Sequence, residues 1–352
     1  MTRAFRPGSL AGSIGLVAAI GLVAWYFAPA RPHPRREITL RTESVPLDAS
    51  DPRRNALGRL RFVAGVVLRS EDETFGGVSG LRVFRDEGGL RLAGVSDSGE
   101  SLSGSLDLRD GRIAVVGPLA MASLPDLKGR LVSGKRWGDS EAIAAGASGR
   151  WLVSFERKHR IWSYARDFSG VASAVETPED LQDAPPNGGL ESLASWPDGD
   201  LVALTETMET ARGTIAGFLL KGGRWTSLEW TPSGQGFRPS DADTLPDGDL
   251  LVLERRWSAL APATLKARIL RVPRAAIWPG AVLKGDVLAE LTAPLVIDNF
   301  EGITAFEDPA RPGSTQILIV SDDNFNRVQR TLLLWLELPG GAAATTAAQP
   351  AR

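Results

Sequence analysis

A hairpin unit that recurs along the chain constrains the fold more than any other feature of the sequence. In its clearest copy, residues 190–194 and 201–206 are predicted strands on either side of the turn Pro-Asp-Gly-Asp at residues 197–200. An Asp-Gly turn between such strands is a strong hairpin signal. The copies begin roughly 50 to 60 residues apart, which is the spacing of propeller blades. The five copies span residues 79–97, 140–156, 190–206, 240–254 and 299–322.

The segments between the hairpins complete the repeat. Two further apolar runs follow each of the middle hairpins, which gives four strands per repeat, the size of a propeller blade. Only residues 330–338 follow the last hairpin, and the run at residues 61–69 precedes the first. We therefore predict that these two ends pair in one blade and close a ring. The predicted domain, residues 59–338, is an all-β propeller of five four-stranded blades, with six blades or a β-sandwich as alternatives.

The two ends of the chain differ from the repeats. No charged residue occurs between residues 10 and 27, and Arg3 and Arg6 precede this apolar run. That pattern predicts an N-terminal hydrophobic helix, which serves either as a signal peptide or as a membrane anchor, with a linker to residue 36. We therefore expect an exported domain, periplasmic or extracellular, that contacts the membrane only through this segment. Residues 339–352 are rich in Ala, Thr and Gly and are predicted to form a disordered tail.

Charge and rare residue types exclude several classes of function. The chain has 40 Lys and Arg against 42 Asp and Glu, and the first 36 residues hold five Arg and no acid. The remainder is therefore acidic, which argues against a nucleic-acid partner. Cysteine is absent, and histidine occurs only at His33 and His159. Disulfides and thiolate chemistry are excluded, and a His-rich zinc site or a Ser-His-Asp triad nearly so.

Carboxylates recur at both ends of the hairpins. If the turns at Ser148-Gly149, Asp198-Gly199 and Asp247-Gly248 have two residues each, positions equidistant from their centres face each other. The resulting predicted pairs are Glu141 with Glu156, Glu191 with Glu206 and Asp241 with Glu254, and looser turns pair Ser79 with Asp97 and Glu301 with Asp322. The first hairpin of a blade lies nearest the propeller axis. We therefore predict that these acids meet around one mouth of the central channel.

So many carboxylates would repel one another unless something neutralised them. One candidate is a hard cation such as calcium, which takes six to eight oxygen ligands. Its predicted ligands are Asp97, Glu156, Glu206, Asp241, Asp243, Glu254, Glu301 and Asp322. Basic side chains are the other candidate. Arg157, Arg255 and Arg256 are predicted to bind substrate, and Glu141, Glu191 and His159 are the catalytic candidates. The structural alternative is that these acids accept backbone N–H groups or pair with Arg.

Short segments around these acids resemble the phytase-like domain family, also labelled "esterase-like activity of phytase". They are GVSGL at residues 77–81, SEAI at 140–143, SFERKHR at 154–160, LERR at 253–256, DNFEGI at 298–303 and SDDNF at 321–325. The resemblance implies an exported propeller, by analogy with calcium-dependent propeller phytases. Two functions follow as hypotheses. The first is a calcium-assisted hydrolase of phosphate or carboxylate esters, and the second is a non-catalytic propeller that binds a ligand or protein in the cell envelope. We expect a monomer with a small-molecule ester or phosphate ligand.

Overall fold

Five sheets, here named blades A to E, make up the fold in the computed structural model. The structure describes residues 32–132, 134–257 and 265–340. The predicted hydrophobic helix at residues 10–27 and the tail beyond residue 340 lie outside these residues. Within the described ranges, no helix combines the length and the apolar character needed to cross a bilayer.

Blades A to C follow one another along the chain. Blade A contains β5 (Val78–Asp86), β6 (Gly89–Ser96), β7 (Glu100–Asp107) and β8 (Ala114–Ser123), with β1 (Arg36–Ile38) on its outer edge. Blade B contains β9 (Ser140–Ala145), β10 (Trp151–Phe155), β11 (Arg160–Tyr164) and β12 (Ser173–Val175). Blade C contains β13 (Leu190–Ser195), β14 (Leu201–Glu209), β15 (Ile215–Lys221) and β16 (Arg224–Trp230), with β20 (Val282–Leu283) parallel to β16.

Blades D and E complete the ring. Blade D contains β17 (Arg238–Thr244), β18 (Leu250–Arg256), β19 (Lys266–Val272) and β21 (Asp286–Thr292). Blade E contains β22 (Asn299–Glu307), β23 (Ser314–Asp322), β24 (Thr331–Pro339), β4 (Leu60–Arg69) and β2 (Arg41–Ser44), while β3 (Ala56–Leu57) pairs with β4. The short helix α1 (Lys135–Gly138) precedes blade B, and residues Glu179–Asp183 and Arg274–Ala276 form 3₁₀ turns.

The first strand of each hairpin lies innermost, as predicted. Each of β5, β9, β13, β17 and β22 contacts the corresponding strand of the blade before and the blade after it, and β22 contacts β5. The ring of five blades is therefore closed, which confirms the five-blade prediction over the six-blade and sandwich alternatives. Buried apolar side chains fill each gap between adjacent blades, around fully buried Trp151, Trp230 and Trp335.

The two ends of the described chain share blade E. Strand β24 pairs antiparallel with β4, with Thr331 opposite Leu68 and Glu337 opposite Arg61. The predicted closure between residues 61–69 and 330–338 is therefore present. The fold also extends beyond residues 59–338, because β1 and β2 add outer strands to blades A and E and β24 ends at Pro339.

The hairpin turns are longer than predicted, and this changes the register. In blade C, Trp196 N–H donates to Asp200 O and Gly199 N–H donates to Trp196 O, both at 3.0 Å. The loop therefore has three residues and ends on Gly199 at φ 92°, which is the common three-residue hairpin with a left-handed last position. The turns that end on Gly149 and Gly248 have the same bonds.

Each inner strand also carries a β-bulge at the end away from the turn. In blade C, Leu190 faces Thr205 and Ser192 faces Leu204, so Glu191 has no partner across the hairpin. Corresponding shifts occur in the other four blades. The predicted face-to-face pairs of acids are therefore wrong, because the three-residue turn and the extra residue displace one strand against the other.

Candidate functional site

The observed register defines two equivalent positions in every blade. The first, the bulge position, is the extra residue in the inner strand. The second, the exit position, lies on the neighbouring strand. It directly follows the residue that pairs with the last inner-strand residue before the bulge. The bulge positions are Ser79, Glu141, Glu191, Ser240 and Glu301. The exit positions are Asp97, Glu156, Glu206, Arg255 and Asp322. Blade D is therefore the exception, with a serine and an arginine where blades B, C and E have two acids.

The acids at these positions form one group, which we call the mouth cluster. The half-buried Glu141 and the buried Glu191, Glu301 and Asp322 are each repelled electrostatically by other acids of the group. The mouth cluster consists of the carboxylates Asp97, Asp139, Glu141, Glu156, Glu191, Glu206, Glu301 and Asp322 and the cations Lys135, Arg157 and Arg255. If all eight acids were ionised, the three cations would leave five negative charges without a counter-ion.

Two predicted metal ligands, Asp241 and Asp243, do not belong to the mouth cluster. Asp241 Oδ2 accepts hydrogen bonds from Ile303 N–H and from Arg82 Nη1, both at 2.9 Å. Asp243 Oδ2 accepts Ala305 N–H at 2.9 Å. The predicted placement of Asp241 at the mouth is wrong, because Asp241 follows the bulge position and therefore faces the backbone of blade E. Asp243, two residues nearer the turn, bonds to the same backbone.

Glu254 is the third predicted ligand that lies elsewhere. Its carboxylate accepts the indole N–H of Trp230 at 2.7 Å and also bonds to Ser233. Glu254 is fully buried between blades C and D, which is the structural use that the sequence left open. The prediction that it lies at the mouth is wrong, because Arg255 takes the exit position in blade D.

The predicted substrate-binding arginines have structural contacts. Arg255 lies 3.1 Å from Glu206 Oε1 and 3.2 Å from Glu301 Oε1, and it donates to Asn299 Oδ1 at 3.0 Å. Arg255 of blade D is therefore the counter-ion of Glu206 in blade C and of Glu301 in blade E. Arg157 donates to Asp139, and Arg256 lies over the ring of Phe237. A role for these arginines in substrate binding stays a prediction.

Three acids of blade B converge as a candidate metal site. Asp139, Glu141 and Glu156 each offer an oxygen, and these oxygens lie within 4.8 Å of one another. Asp139 Oδ2 accepts a hydrogen bond from Arg157, whereas the buried Oδ1 has no hydrogen-bond partner among the described residues. An oxygen-only set with an unpartnered buried oxygen fits a hard divalent cation such as calcium.

Asp139 is the member of this site that the sequence analysis missed. It follows α1 and lies outside the repeated hairpin, so the repeat does not include it. The available signal was its spacing, since residues two apart on an extended strand face the same side. Glu141 is two residues further on.

Backbone N–H groups hold Glu156 in place. Gly188 and Gly189 both donate to Glu156 Oε1. A side chain at Gly189 would collide with the imidazole of His159, because its Cβ would lie 2.4 Å from Nδ1. His159 thus packs behind this glycine pair, with Nε2 bonded to Pro185 O at 3.0 Å and to Ala184 O at 3.2 Å. Burial lowers the pKa of His159. The structure places it beside the mouth cluster, and its catalytic role stays a prediction.

Burial and mutual repulsion change the protonation of the mouth cluster. Burial, followed by repulsion from Glu141, Glu156, Glu206 and Glu301, raises the pKa of Glu191 well above its usual range. The pKa values of Glu141 and Asp322 are raised well above their usual range for the same kinds of reason, and that of Glu301 is raised to about 7. Some of these carboxyls therefore hold a proton near neutral pH when no further cation is bound.

Lys135 on α1 is the second member of the cluster that the sequence analysis missed. Its Nζ lies 2.6 Å from Asp97 Oδ2 and 3.6 Å from Asp139 Oδ1. Attraction to Asp97, Asp139 and Glu141 outweighs burial and raises the pKa of Lys135, so the ammonium stays charged. A contact between α1 and blade A leaves no periodic signal in the sequence.

Comparison with known proteins gives one family match. The model of the phytase-like family, described as "Esterase-like activity of phytase", matches residues 73–325. No curated protein gives a significant match.

Several solved structures are distantly similar to this chain. A streptogramin B lyase has 11% identity and a TM-score of 0.36, over 85% of this chain and 87% of that one. Inactive virginiamycin B lyase from Staphylococcus aureus, solved with quinupristin, has 10% identity and a TM-score of 0.38, over 85% and 99%. A gluconolactonase from Xanthomonas campestris has 12% identity and a TM-score of 0.39, over 89% and 99%. At such identities the likeness says nothing of activity.

Proposed function

This chain belongs to the phytase-like family, and from that premise we propose that it hydrolyses esters with a divalent cation, calcium, bound at the mouth cluster. One observation carries the proposal. The ligand oxygens of Asp139, Glu141 and Glu156 lie within 4.8 Å of one another. Asp139 keeps a buried oxygen to which no described residue donates a hydrogen bond, with the Lys135 ammonium 3.6 Å away. A buried polar atom without a partner costs stability, so it points to a ligand.

The three acids of blade B would hold the cation, and the rest of the cluster would orient and neutralise them. When bound, a divalent cation supplies Lewis acidity toward an ester oxygen. Arg157 holds Asp139 from the side of Oδ2, and the two glycine N–H groups hold Glu156 Oε1. Asp139 is thereby fixed with Oδ1 left for another partner, and Glu156 also shares a side-chain hydrogen bond with Glu191.

Glu191 is the residue best placed to move a proton. Burial and the surrounding acids raise its pKa well above the usual range and so favour its protonated form. A buried acid of this kind can give a proton to a leaving alcohol, as carboxyl groups with a raised pKa do in other hydrolases. Glu141 and Glu156 are among the acids that act on it, so the proton lies next to the proposed cation site.

The charge of the mouth favours an uncharged ester over a phosphate monoester. Lys135 and Arg255 are paired with cluster acids, and Arg157 is paired with Asp139. The excess of carboxylates would repel an anionic substrate unless a bound cation outweighed it. Phosphate esters are therefore the second choice of substrate. We also propose, from the apolar run at residues 10–27, that the domain works outside the cytoplasm.

The test combines calcium-dependent melting with a substrate panel. We expect calcium to raise the melting temperature, because a ligand that binds only the folded state stabilises it, and a chelator to reverse the rise. Glu141→Gln should lose most of this response. Glu307→Gln, an exposed acid at the far end of β22, is the matched control and should keep it. Carboxylate and phosphate esters of p-nitrophenol, with and without calcium, then measure hydrolysis.

A non-catalytic binding propeller is the second candidate. The excess of acids at the mouth favours it as well, because such a surface can hold a cationic partner. Stabilisation by calcium without turnover of any ester would support this alternative. No response of the melting temperature to calcium would remove the cation site from the proposed function.

A further inference from the structure

We infer that Lys135 is a tethered cation that competes with the divalent ion for Asp139 and so sets the affinity of the site; this inference rests on the proposed function. The ammonium lies 2.6 Å from Asp97 Oδ2 and 3.6 Å from Asp139 Oδ1. Asp139 Oδ1 is also the buried oxygen without a hydrogen-bond partner in the described part of the chain. The two cations would therefore meet at one oxygen.

Two unpartnered oxygens flank the ammonium. Besides Asp139 Oδ1, the buried Asp97 Oδ1 has no hydrogen-bond partner among the described residues. A side chain at Gly77 would collide with this oxygen, because its Cβ would lie 2.3 Å from it. The single ammonium of Lys135 thus leaves two carboxylate oxygens of its neighbours without a hydrogen bond. If Lys135 were removed, Asp97 would be released toward the cation.

Lys135 is also placed so that it can leave. Its side chain is 31% exposed, whereas those of Asp97 and Asp139 are 8% and 2% exposed. The ammonium therefore reaches the acids from the solvent side on a flexible four-carbon stem, and it can withdraw without moving them. Arg157 differs, because it binds the opposite oxygen of Asp139 and does not occupy Oδ1.

Competition between two cations has a simple consequence. A divalent ion at Asp139 would lie within a few Å of the ammonium, and like charges at that distance repel strongly in a partly buried site. Lys135 therefore lowers calcium affinity, and in return it neutralises Asp97 when calcium is absent. The site would load only where calcium is abundant.

The experiment is calorimetric titration of the metal-free full chain with calcium chloride. Lys135→Met should bind calcium about tenfold more tightly or better than the unmodified protein, a change that corresponds to about 1.4 kcal/mol. Lys135→Gln should do the same, and it covers the case in which the methionine variant does not fold. Lys135→Arg keeps the charge and should not tighten binding. Lys128→Met removes an exposed lysine from a nearby segment and should change affinity by less than about twofold.

Each outcome decides between the hypotheses. If the neutral variants bind calcium as the unmodified protein does, or more weakly, competition is wrong and the calcium site remains. If they bind calcium and the unmodified protein does not, competition stands and the proposed calcium dependence of the natural protein fails. If no folded variant binds calcium, both are wrong. If Lys135→Arg tightens binding as much as Lys135→Met, side-chain packing and not charge controls the affinity, and the inference is overturned.

Discussion

Arg255 shows how one side chain changes the charge of a whole site. Blades A, B, C and E place a carboxylate at the exit position, whereas blade D places this guanidinium there. The guanidinium group contacts Glu206, Glu301 and the amide oxygen of Asn299. A guanidinium suits this task because its planar donors fit several oxygens at once and it stays charged when buried.

We expect Arg255→Met to lower the free energy of unfolding by about 3–5 kcal/mol near pH 8, because the buried acids lose their counter-ion. The loss should be smaller near pH 5.5. Glu301 has a pKa of about 7 with Arg255 present. Without the arginine that pKa rises further, so the acid is already neutral near pH 5.5 and needs no counter-ion there. Urea unfolding at both pH values measures the difference. Arg238→Met, which breaks a pair with the exposed Glu209, should cost about 0–1 kcal/mol. An equal loss at both pH values would contradict this account.

Replacing Glu191 should stabilise the protein, whereas replacing Arg255 should destabilise it. The raised pKa of Glu191 means that the folded protein binds this proton more tightly than the unfolded chain does. Above the unfolded pKa the group therefore destabilises the metal-free protein, and stability falls as the pH rises toward the folded pKa. Glu191→Gln, which is neutral at every pH, should raise the melting temperature near pH 8 and leave it nearly unchanged at about pH 4. If the variant melts lower than the unmodified protein near pH 8, the acid is not strained by its neighbours.

At the scale of the element, the hairpin turn decides which side chains reach the mouth. Two-residue and three-residue turns share the Asp-Gly signal, so the sequence predicts the hairpin but not its register. A change of one residue moves a side chain to the other face. Asp241 and Glu254 were predicted at the mouth for this reason, and both belong to the packing between blades. Glu141 and Glu191 remain at the mouth because the bulge adds a residue to their strands.

The repeat explains what could be predicted and what could not. Strands, blade number and ring closure follow from local patterns that recur, so the sequence predicts them. Asp139 and Lys135 lie outside the repeat, and the contact of Lys135 with Asp97 joins α1 to the end of blade A's first hairpin. Such a contact depends on how two blades meet, which no local pattern contains. The candidate metal site was therefore predicted only in part.

The glycine at the end of each three-residue turn can be tested in blade D. Gly248 has φ 93°, and a Cβ there would meet no atom within 4 Å. We therefore expect Gly248→Ala to cost about 1–2 kcal/mol from backbone strain alone, as measured by urea unfolding. Gly248→Asn should cost less, because Asn adopts left-handed conformations more readily. If alanine were tolerated without loss, the loop would not need its left-handed residue.

At the scale of the whole molecule, closing the ring leaves the inner edge of every blade facing the axis. Edge strands carry backbone groups without a strand partner, and buried ones need a partner of another kind. Arg82 on β5 supplies it. Its guanidinium donates to Leu81 O at 2.6 Å, Leu193 O at 2.7 Å and Ile303 O at 2.8 Å, and also to Ala242 O. One buried side chain thereby joins the inner strands of blades A, C, D and E, with Asp241 as its counter-ion.

We expect Arg82→Met to lower the free energy of unfolding by about 3–5 kcal/mol, because it leaves Asp241 as a buried charge without its partner. The four carbonyls would lose their donor in the same step, which adds to the cost. Arg85→Met is the matched control on the same strand. Its partner is Asp308 and its side chain is 47% exposed, so the loss should be about 0–1 kcal/mol.

Calcium titration of the same two variants tests whether the Arg82 network at the axis and the proposed calcium site at the mouth are independent. Asp241 and Arg82 share no hydrogen bond or ion pair with the blade B acids among the described residues. The folded fraction of Arg82→Met should therefore respond to calcium as the unmodified protein does, even though it unfolds at lower urea concentration. If Arg82→Met is as stable as Arg85→Met, the four carbonyls find water or another donor. The apolar side chains packed between the blades would then be enough to hold the ring together.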